Sequence, residues 1–342
     1  MKKLIISLML AVFLIPGLAS AQKKQMMFGV AFYNLENLFD TIANNPYGRD
    51  LEFTPGGSNK WDSRKYWAKI KNLSYAISHL KTDYTPQGPA VIGVSEIENI
   101  TVLQDLVNAE AIKDWNLQVI HHDSPDRRGV DVGLLYNPRF FKPIHTTNHV
   151  LDIGYPTRDQ MCVVGLLGGC RTAVIVNHWP SRRGGEKESS PNREAAAALT
   201  RHICDSLYRV DPNMGVIIMG DLNDDPSNKS VAEVIGAVKD KNKCKEGGYF
   251  NPFWKKLDEG IGSYIYRGGW DLFDQIIVNY NLVKGKNGLE YKNCKVWNDL
   301  PFLFQQNGQY KGYPLRTFAS GVWANGYSDH LPTEIFLVKE IN

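Results

Sequence analysis

The stretch "IIMGDLNDDP", residues 217–226, decides how the rest of the chain is read. It opens as an apolar run of the kind that fills a buried strand, then closes on three acids, an asparagine and a proline. A turn explains that ending, because Asp and Asn suit turns and proline stops the strand before it. A site explains it too. Asp221 and Asn223 are two residues apart, so an extended backbone puts both side chains on one face. A carboxylate beside a neutral amide packs poorly, yet suits the holding of a water and a phosphate. Within this stretch alone turn chemistry is sufficient, and the other segments must decide.

They repeat the pattern. "FGVAFYN" (28–34) leads to Asn34 and Glu36, and "AVIGVSE" (90–96) ends at Glu96 with Glu98 just beyond. "TAVIVNH" (172–178) ends at His178, and "LFDQIIVN" (272–279) carries Asp274 inside an apolar run. "YSDHLP" brings Asp329 and His330 in front of a further run, "TEIFLV" (333–338). With "DVGLLYN" (131–137) and "GVIIMGD" (215–221), these runs read as strands covered on both faces, since clean alternation is absent. Helical spacing lies between them. Tyr66, Trp67, Ile70, Leu73, Ile77 and Leu80 follow a cap at Asp62 or Ser63. "TVLQDLVNAEAI" and "NREAAAALTRHICDSLYRV" give two more helices. Interleaved strands and helices make this an α/β chain and exclude an all-β sandwich. The Gly- and Pro-rich loops "NNPYGRDLEFTPGGSNK" and "KNKCKEGGYF" read as surface excursions, and no linker divides the chain.

The N-terminus, "MKKLIISLMLAVFLIPGLASAQ", has a Lys2-Lys3 start, an apolar core too short to span a bilayer comfortably, and a small-residue cleavage site near Ala21. It predicts an exported protein with a signal peptide at 1–21, a single domain at 22–342 and no stable membrane insertion. Formal charge is +3 for the whole chain. It falls to about +1 without the two signal lysines. So weak a global field means that any contact with phosphate rests on local groups. The five cysteines are irregularly spaced and do not match a zinc pattern. Export permits disulfides, and Cys162 with Cys170 can close a hairpin.

Strand ends that supply acids, amides and two histidines suggest one shared pocket, as at the strand ends of open α/β sheets. Clustered oxygens suit a hard divalent cation, which polarises a phosphoryl oxygen. Asp221 is placed to activate water and Asn223 to hold phosphate. His178 and His330 can donate to phosphoryl oxygens if a carboxylate keeps them charged. No serine elbow or Cys–His signature is present, which favours direct attack by water.

Taken together, "FYNLEN", "GVSEIEN", "NHWPSR", "GDLNDDP", "FDQIIV" and "YSDHLP" resemble the endonuclease/exonuclease/phosphatase superfamily, including DNase I-like nucleases, sphingomyelinases and inositol-polyphosphate phosphatases. The motifs run in family order across nearly the whole mature chain. The resemblance implies a four-layer sandwich of two packed mixed or mostly antiparallel β-sheets with helices outside. It implies Glu96 as main metal ligand, with Glu36 and Asp329 near the ion. The cation would be Mg2+, with Mn2+ or Ca2+ as alternatives. Asn34 would contact phosphate, His178 would stabilise the transition state, and Asp221 would orient or deprotonate the attacking water. His330 would bind phosphate, oriented by Asp274. Ser95 stands where the family usually has Gln, which removes one supporting amide. Asp131 is a further candidate to orient His178, and Arg182, just beyond His178, is placed to grip a polyanion.

The expected activity is a secreted, monomeric phosphodiesterase acting on nucleic acid. The alternatives are a phosphatase or a sphingomyelinase or phospholipase-C-type enzyme on small or lipid-linked phosphates, and a binding module without catalysis.

Overall fold

The computed structural model describes residues 24–341; the proposed signal peptide lies outside them. In chain order the strands are β1 (Lys24–Leu38), β2 (Val91–Ile97), β3 (Gln118–His121), β4 (Asp131–Tyr136), β5 (Phe141–His149), β6 (Gln160–Leu167), β7 (Cys170–His178) and β8 (Gly215–Asp221). There follow β9 (Ala237–Val238), β10 (Tyr249–Phe250), β11 (Tyr264–Tyr266), β12 (Gly269–Asp271), β13 (Asp274–Asn279), β14 (Glu290–Val296), β15 (Phe318–Ala319), β16 (Val322–Trp323) and β17 (Thr333–Ile341). The main helices are α1 (Ser63–Ser78), α2 (Ile100–Val107) and α3 (Glu186–Val210).

Two mixed sheets carry the fold, a six-stranded one ordered β14-β17-β1-β2-β4-β3 and a seven-stranded one ordered β5-β6-β7-β8-β13-β10-β9. Their inner faces supply one continuous core, including Phe32, Val91, Leu134, Val174, Met219 and Ile276. The sheets approach closely at Gly93, where an added Cβ would run into the Met219 side chain. On the outer face of the larger sheet, Ala196, Ala197 and Ile203 of α3 pack with Ile175, Val216 and Ile218. On the other side, Leu103 of α2 covers Gly133 of β4, and the Tyr66 hydroxyl of α1 donates to Asp105 of α2 at 2.6 Å. This is the sandwich of two sheets with helices around them.

The caps follow local chemistry. The Asp62 carboxylate accepts from Lys65 N and starts α1, and the Asn99 side chain accepts from Thr101 N and Val102 N and starts α2. The Cys162–Cys170 bridge does not form. Cys162 is opposite Ile175 and Cys170 opposite Leu167 along the β6–β7 hairpin, and all five cysteines are free thiols.

Register brings the chemistry to one end of the sandwich. The parallel β7–β8 ladder sets His178 beside Asp221, and the antiparallel β8–β13 ladder sets Asp221 beside Asp274. Direct partners share a sheet face, so three neighbouring strands present one row of polar side chains. In the facing sheet Asn34 pairs with Ser95, one residue before Glu96.

Candidate active site

Strand alternation would turn Glu96 to the face opposite Ser95, and two residues of the site stand in left-handed backbone. Glu96 has φ 58° and Asn223 φ 50°, positions that L-residues avoid without a local reason. At Glu96 the β2 pairing shifts register on both sides, between Ser95 and Ile97 against β4 and between Asn34 and Leu38 against β1. The kink turns a buried carboxylate toward the row on the other sheet. One Glu96 oxygen accepts from Asn37 N at 3.0 Å, and the other lies 3.5 Å from Arg128 Nη2 and 3.9 Å from His178 Nε2. Burial opposes ionisation of Glu96, but Arg128, His330, Arg158 and the Asn37 N–H together hold its pKa below the usual value.

Asp221 sits at the centre. Its Oδ2 accepts from Asn34 Nδ2 across the sheet gap and its Oδ1 from Asn223 N, both at 3.0 Å. The same Oδ2 lies 3.7 Å from His178 Nε2 and 3.8 Å from His330 Nε2. Burial, with the nearby charge of Asp274 and Glu96, pushes the Asp221 pKa up to about 7 against the pull of His330.

The two histidines differ in charge. His330 Nδ1 is 2.7 Å from Asp274 Oδ2, which also accepts from Ser263 Oγ at 2.6 Å. Burial works against the imidazolium, yet Asp274 and Asp221 outweigh it and raise His330 well above the ordinary value. His178 has no carboxylate within hydrogen-bond distance, and its Nδ1 is buried and unpartnered. Burial, with Arg158, Arg128 and His330 close by, drives it well below the ordinary value. It is the neutral histidine of the pair, contrary to the expectation of a carboxylate keeping both charged.

Other expected groups are differently engaged. Glu36 faces away from this row: it accepts from Thr317 N and Thr317 Oγ1 at 2.7 Å and from Arg316 Nε at 3.1 Å, with Lys69 Nζ 3.8 Å away. Asp329 pairs with Arg316 Nη2 at 2.8 Å, though its other oxygen is 4.0 Å from His330 Nε2. Asn223 donates its side-chain amide to Trp179 O at 3.0 Å, so its backbone N–H, rather than that amide, serves the centre. Asp131 bonds His121 Nε2 and Ser124 instead of His178. Arg182 is taken up by Asp224, Asp225, Asp271 and Glu186, all within 3.5 Å, and by the Asn223 carbonyl. It has little left with which to grip a polyanion.

Four further contributors were not expected from sequence, three outside the quoted motifs and the fourth, Ser328, inside "YSDHLP". Arg128 opposes Glu96; Arg158 donates to the His178 and Trp179 carbonyls at 3.2 and 2.7 Å; Ser263 braces Asp274. Ser328 Oγ donates to Asn34 O at 2.7 Å and accepts from His330 N at 3.1 Å, which ties the last motif to β1. Only the "RRG" and "YSDH" context hints at any of them in sequence.

The donor set fits a hard divalent cation. Asp221 and Asp274 offer carboxylate oxygens within 4.8 Å of each other, and Glu96 adds a carboxylate from the other sheet, while His330, as an imidazolium, has no lone pair to give an ion. Asp274 Oδ1 is buried without a partner, and burial, with Asp274 and Glu96 close by, raises the pKa of Asp221, so a cation there would offset charge that burial disfavours.

The family model described as "Endonuclease/Exonuclease/phosphatase family" matches residues 29–339. The chain belongs to this family. Its members are hydrolases of phosphoesters. Among solved structures, the chain is similar to D. rerio TDP2 complexed with single strand DNA product, at 13% identity and TM-score 0.56, covering 91% of this chain and 98% of that one. An endonuclease/exonuclease/phosphatase family protein from Bacteroides thetaiotaomicron matches at 15% identity and TM-score 0.54, covering 93% and 97%. A mannosyl-6-phosphatase from Bacteroides thetaiotaomicron VPI-5482 matches at 15% identity and TM-score 0.52, covering 91% and 99%. At these identities the likeness is one of fold. No curated protein matches the sequence.

Proposed function

We propose that this protein is an exported, divalent-cation-dependent phosphodiesterase that cleaves by direct attack of water, with nucleic acid as its substrate class. The observation that carries the reading is the charge pattern around Asp221. A carboxylate with pKa about 7 faces an imidazolium on one side and a neutral imidazole on the other. That is the arrangement of a base poised near neutrality beside a charged phosphate donor.

In this scheme Asp221 takes the proton of the attacking water, and Asn34 Nδ2 and Asn223 N hold its two oxygens in place. His330, its Nδ1–H fixed by Asp274, offers Nε2–H to a non-bridging oxygen. His178 completes the far side as a neutral donor. Glu96 would hold the cation, which when bound polarises the phosphoryl oxygen and offsets developing charge.

The D. rerio TDP2 structure holds a single-stranded DNA product, which supports nucleic acid as a substrate class for this fold. The test is hydrolysis of bis(p-nitrophenyl) phosphate and of p-nitrophenyl phosphate, each with Mg2+ or Mn2+ and with EDTA. Metal-dependent cleavage of the diester alone is expected. Preference for the monoester would make this a phosphatase, and inertness toward both would sink the enzymatic reading.

A further inference from the structure

A cavity of about 320 Å3 lies against the site on the His330 side. That is within the range of small-ligand pockets. Its walls lie outside both sheets. The β11–β12 hairpin supplies Tyr264 and Tyr266, and the segment 305–324 supplies Tyr310, Tyr313, Leu315 and Arg316.

Tyr264 belongs to cavity and site together. Its ring centroid is 4.7 Å from that of His330, and its other neighbour is Phe273, stacked at 5.4 Å. Asp329 also lines the cavity and lies 4.0 Å from His330 Nε2. A phosphate held by His330 would therefore have the cavity beside it, behind Tyr264 and Asp329.

The inner wall is preorganised by buried charge. Glu36, on β1 two residues beyond Asn34, fixes Thr317 through two hydrogen bonds and Arg316 through a third, with Lys69 behind. Glu36, which the resemblance placed near the ion beside the main ligand Glu96, anchors the wall of the cavity. The outer wall closes on itself: Gln305 N donates to Tyr313 O and Gly312 N to Gln305 O, and the Tyr310 and Tyr313 rings meet edge to face at 5.6 Å.

The lining selects its occupant. Four phenol rings and the apolar Ile265, Pro314 and Leu315 line it, while the charged Arg316 and Asp329 are paired with each other and Arg316 also with Glu36. The phenol rings offer faces on which a flat aromatic ring stacks, and every base has a π-face. Gln305, Ser320 and the phenol hydroxyls remain to meet the polar edge of a base. We propose that this cavity takes the unpaired nucleobase of the nucleotide whose phosphate is cut. The assignment rests on the phosphodiesterase reading and narrows it to single strands or small nucleotides.

The experiment compares p-nitrophenyl thymidine 5′-phosphate with methyl p-nitrophenyl phosphate, in Mn2+, for wild type, Tyr310→Ala, Tyr313→Ala and the cavity-filling Ala324→Trp. Tyr310 is 43% exposed, so its truncation leaves the core intact. Wild type should prefer the thymidine ester, and the ratio of kcat/KM values should fall roughly tenfold in each variant, mainly through KM. Thymidine 5′-monophosphate binding in EDTA, by equilibrium dialysis, should weaken in parallel and reads the cavity without turnover. Unchanged ratios and unchanged binding overturn the cavity assignment while activity on the methyl ester leaves the diesterase reading standing. Inertness toward both esters overturns the diesterase reading instead. A preference for the p-nitrophenyl diester of glucose 6-phosphate overturns the choice of a base. Cleavage of a single-stranded oligonucleotide but not its duplex identifies a strand as the source, and cleavage of the thymidine ester alone identifies a small nucleotide; either supports the assignment.

Discussion

His330 Nδ1 lies 2.7 Å from Asp274 Oδ2, and this contact decides the charge of the imidazole that faces Asp221. Burial alone would leave His330 neutral; Asp274 and Asp221 reverse that. Asp274→Asn should therefore lower the His330 pKa. The cationic donor survives only below that pKa, so the alkaline limb of the rate profile should move to lower pH. Turnover above neutrality should fall by about 10²- to 10³-fold. An alkaline limb that stays in place would mean the pair does not govern catalysis.

Asp221 should show a trade of stability for activity. Its pKa rises from 3.8 to about 7 on folding, with burial the main cause. Between those values the folded chain keeps a proton that the unfolded chain releases, so stability falls as pH rises toward 7 and stays reduced above it. Asp221→Asn removes this penalty. In EDTA at alkaline pH the variant should be more stable in urea, by at most about 4 kcal/mol, while hydrolysis is abolished. A variant that is inactive and no more stable would show that Asp221 carries no such strain.

The strand runs that end in acids or histidines were legible because buried strands declare themselves by apolar content, and their ends by what interrupts it. β5, β6 and β14 were not. Pro143 and a half-exposed face blur "FKPIHTTNH", a central glycine splits "QMCVVGLL", and "EYKNCKV" is a polar edge strand. The site divides in the same way. His178, Asp221 and Asp274 become neighbours through strand register, which apolar patterning anticipates. Arg128 and Arg158 arrive from irregular loops, where no periodicity predicts direction. Arg182 shows the opposite error: proximity to His178 in sequence suggested phosphate, but three carboxylates from other segments, with Glu186 four residues on, claim it.

Glu96 and Glu36 should part company under substitution. Glu96→Gln removes a carboxylate that faces the central row, so Mn2+ affinity measured calorimetrically should fall at least tenfold with the fold intact. Glu36→Gln leaves Lys69 buried without its counter-charge and weakens the hold on Thr317. Its expected signature is a loss of about 3 kcal/mol in stability, with Mn2+ affinity little changed. Equal losses of metal affinity in both variants would return Glu36 to the cation.

A second buried acid makes the pH dependence of stability separable from the site. Glu334 on β17 is fully buried; Oε2 accepts from Trp297 Nε1 at 2.9 Å and Oε1 has no partner. Room for it exists because residue 29 is glycine, where a Cβ would overlap Oε1. Burial raises its pKa from 4.5 to about 8, against the smaller opposing pull of Trp297 and Lys295. A raised carboxyl favours the folded state at low pH, and that support is lost as pH climbs from 4.5 through about 8. Glu334→Gln keeps an acceptor for Trp297 and cannot ionise, but leaves an amide without a partner, at a cost of about 1–3 kcal/mol. The two effects predict crossing curves: the variant is no more stable than wild type in mild acid and gains about 2 kcal/mol above pH 8. Urea midpoints across that range, taken beside those of Asp221→Asn, test the assignment. The Asp221 variant should flatten the curve below about 7 and the Glu334 variant should flatten it up to about 8. Parallel curves for wild type and Glu334→Gln would mean that the buried carboxyl is already neutralised by a route other than its own proton.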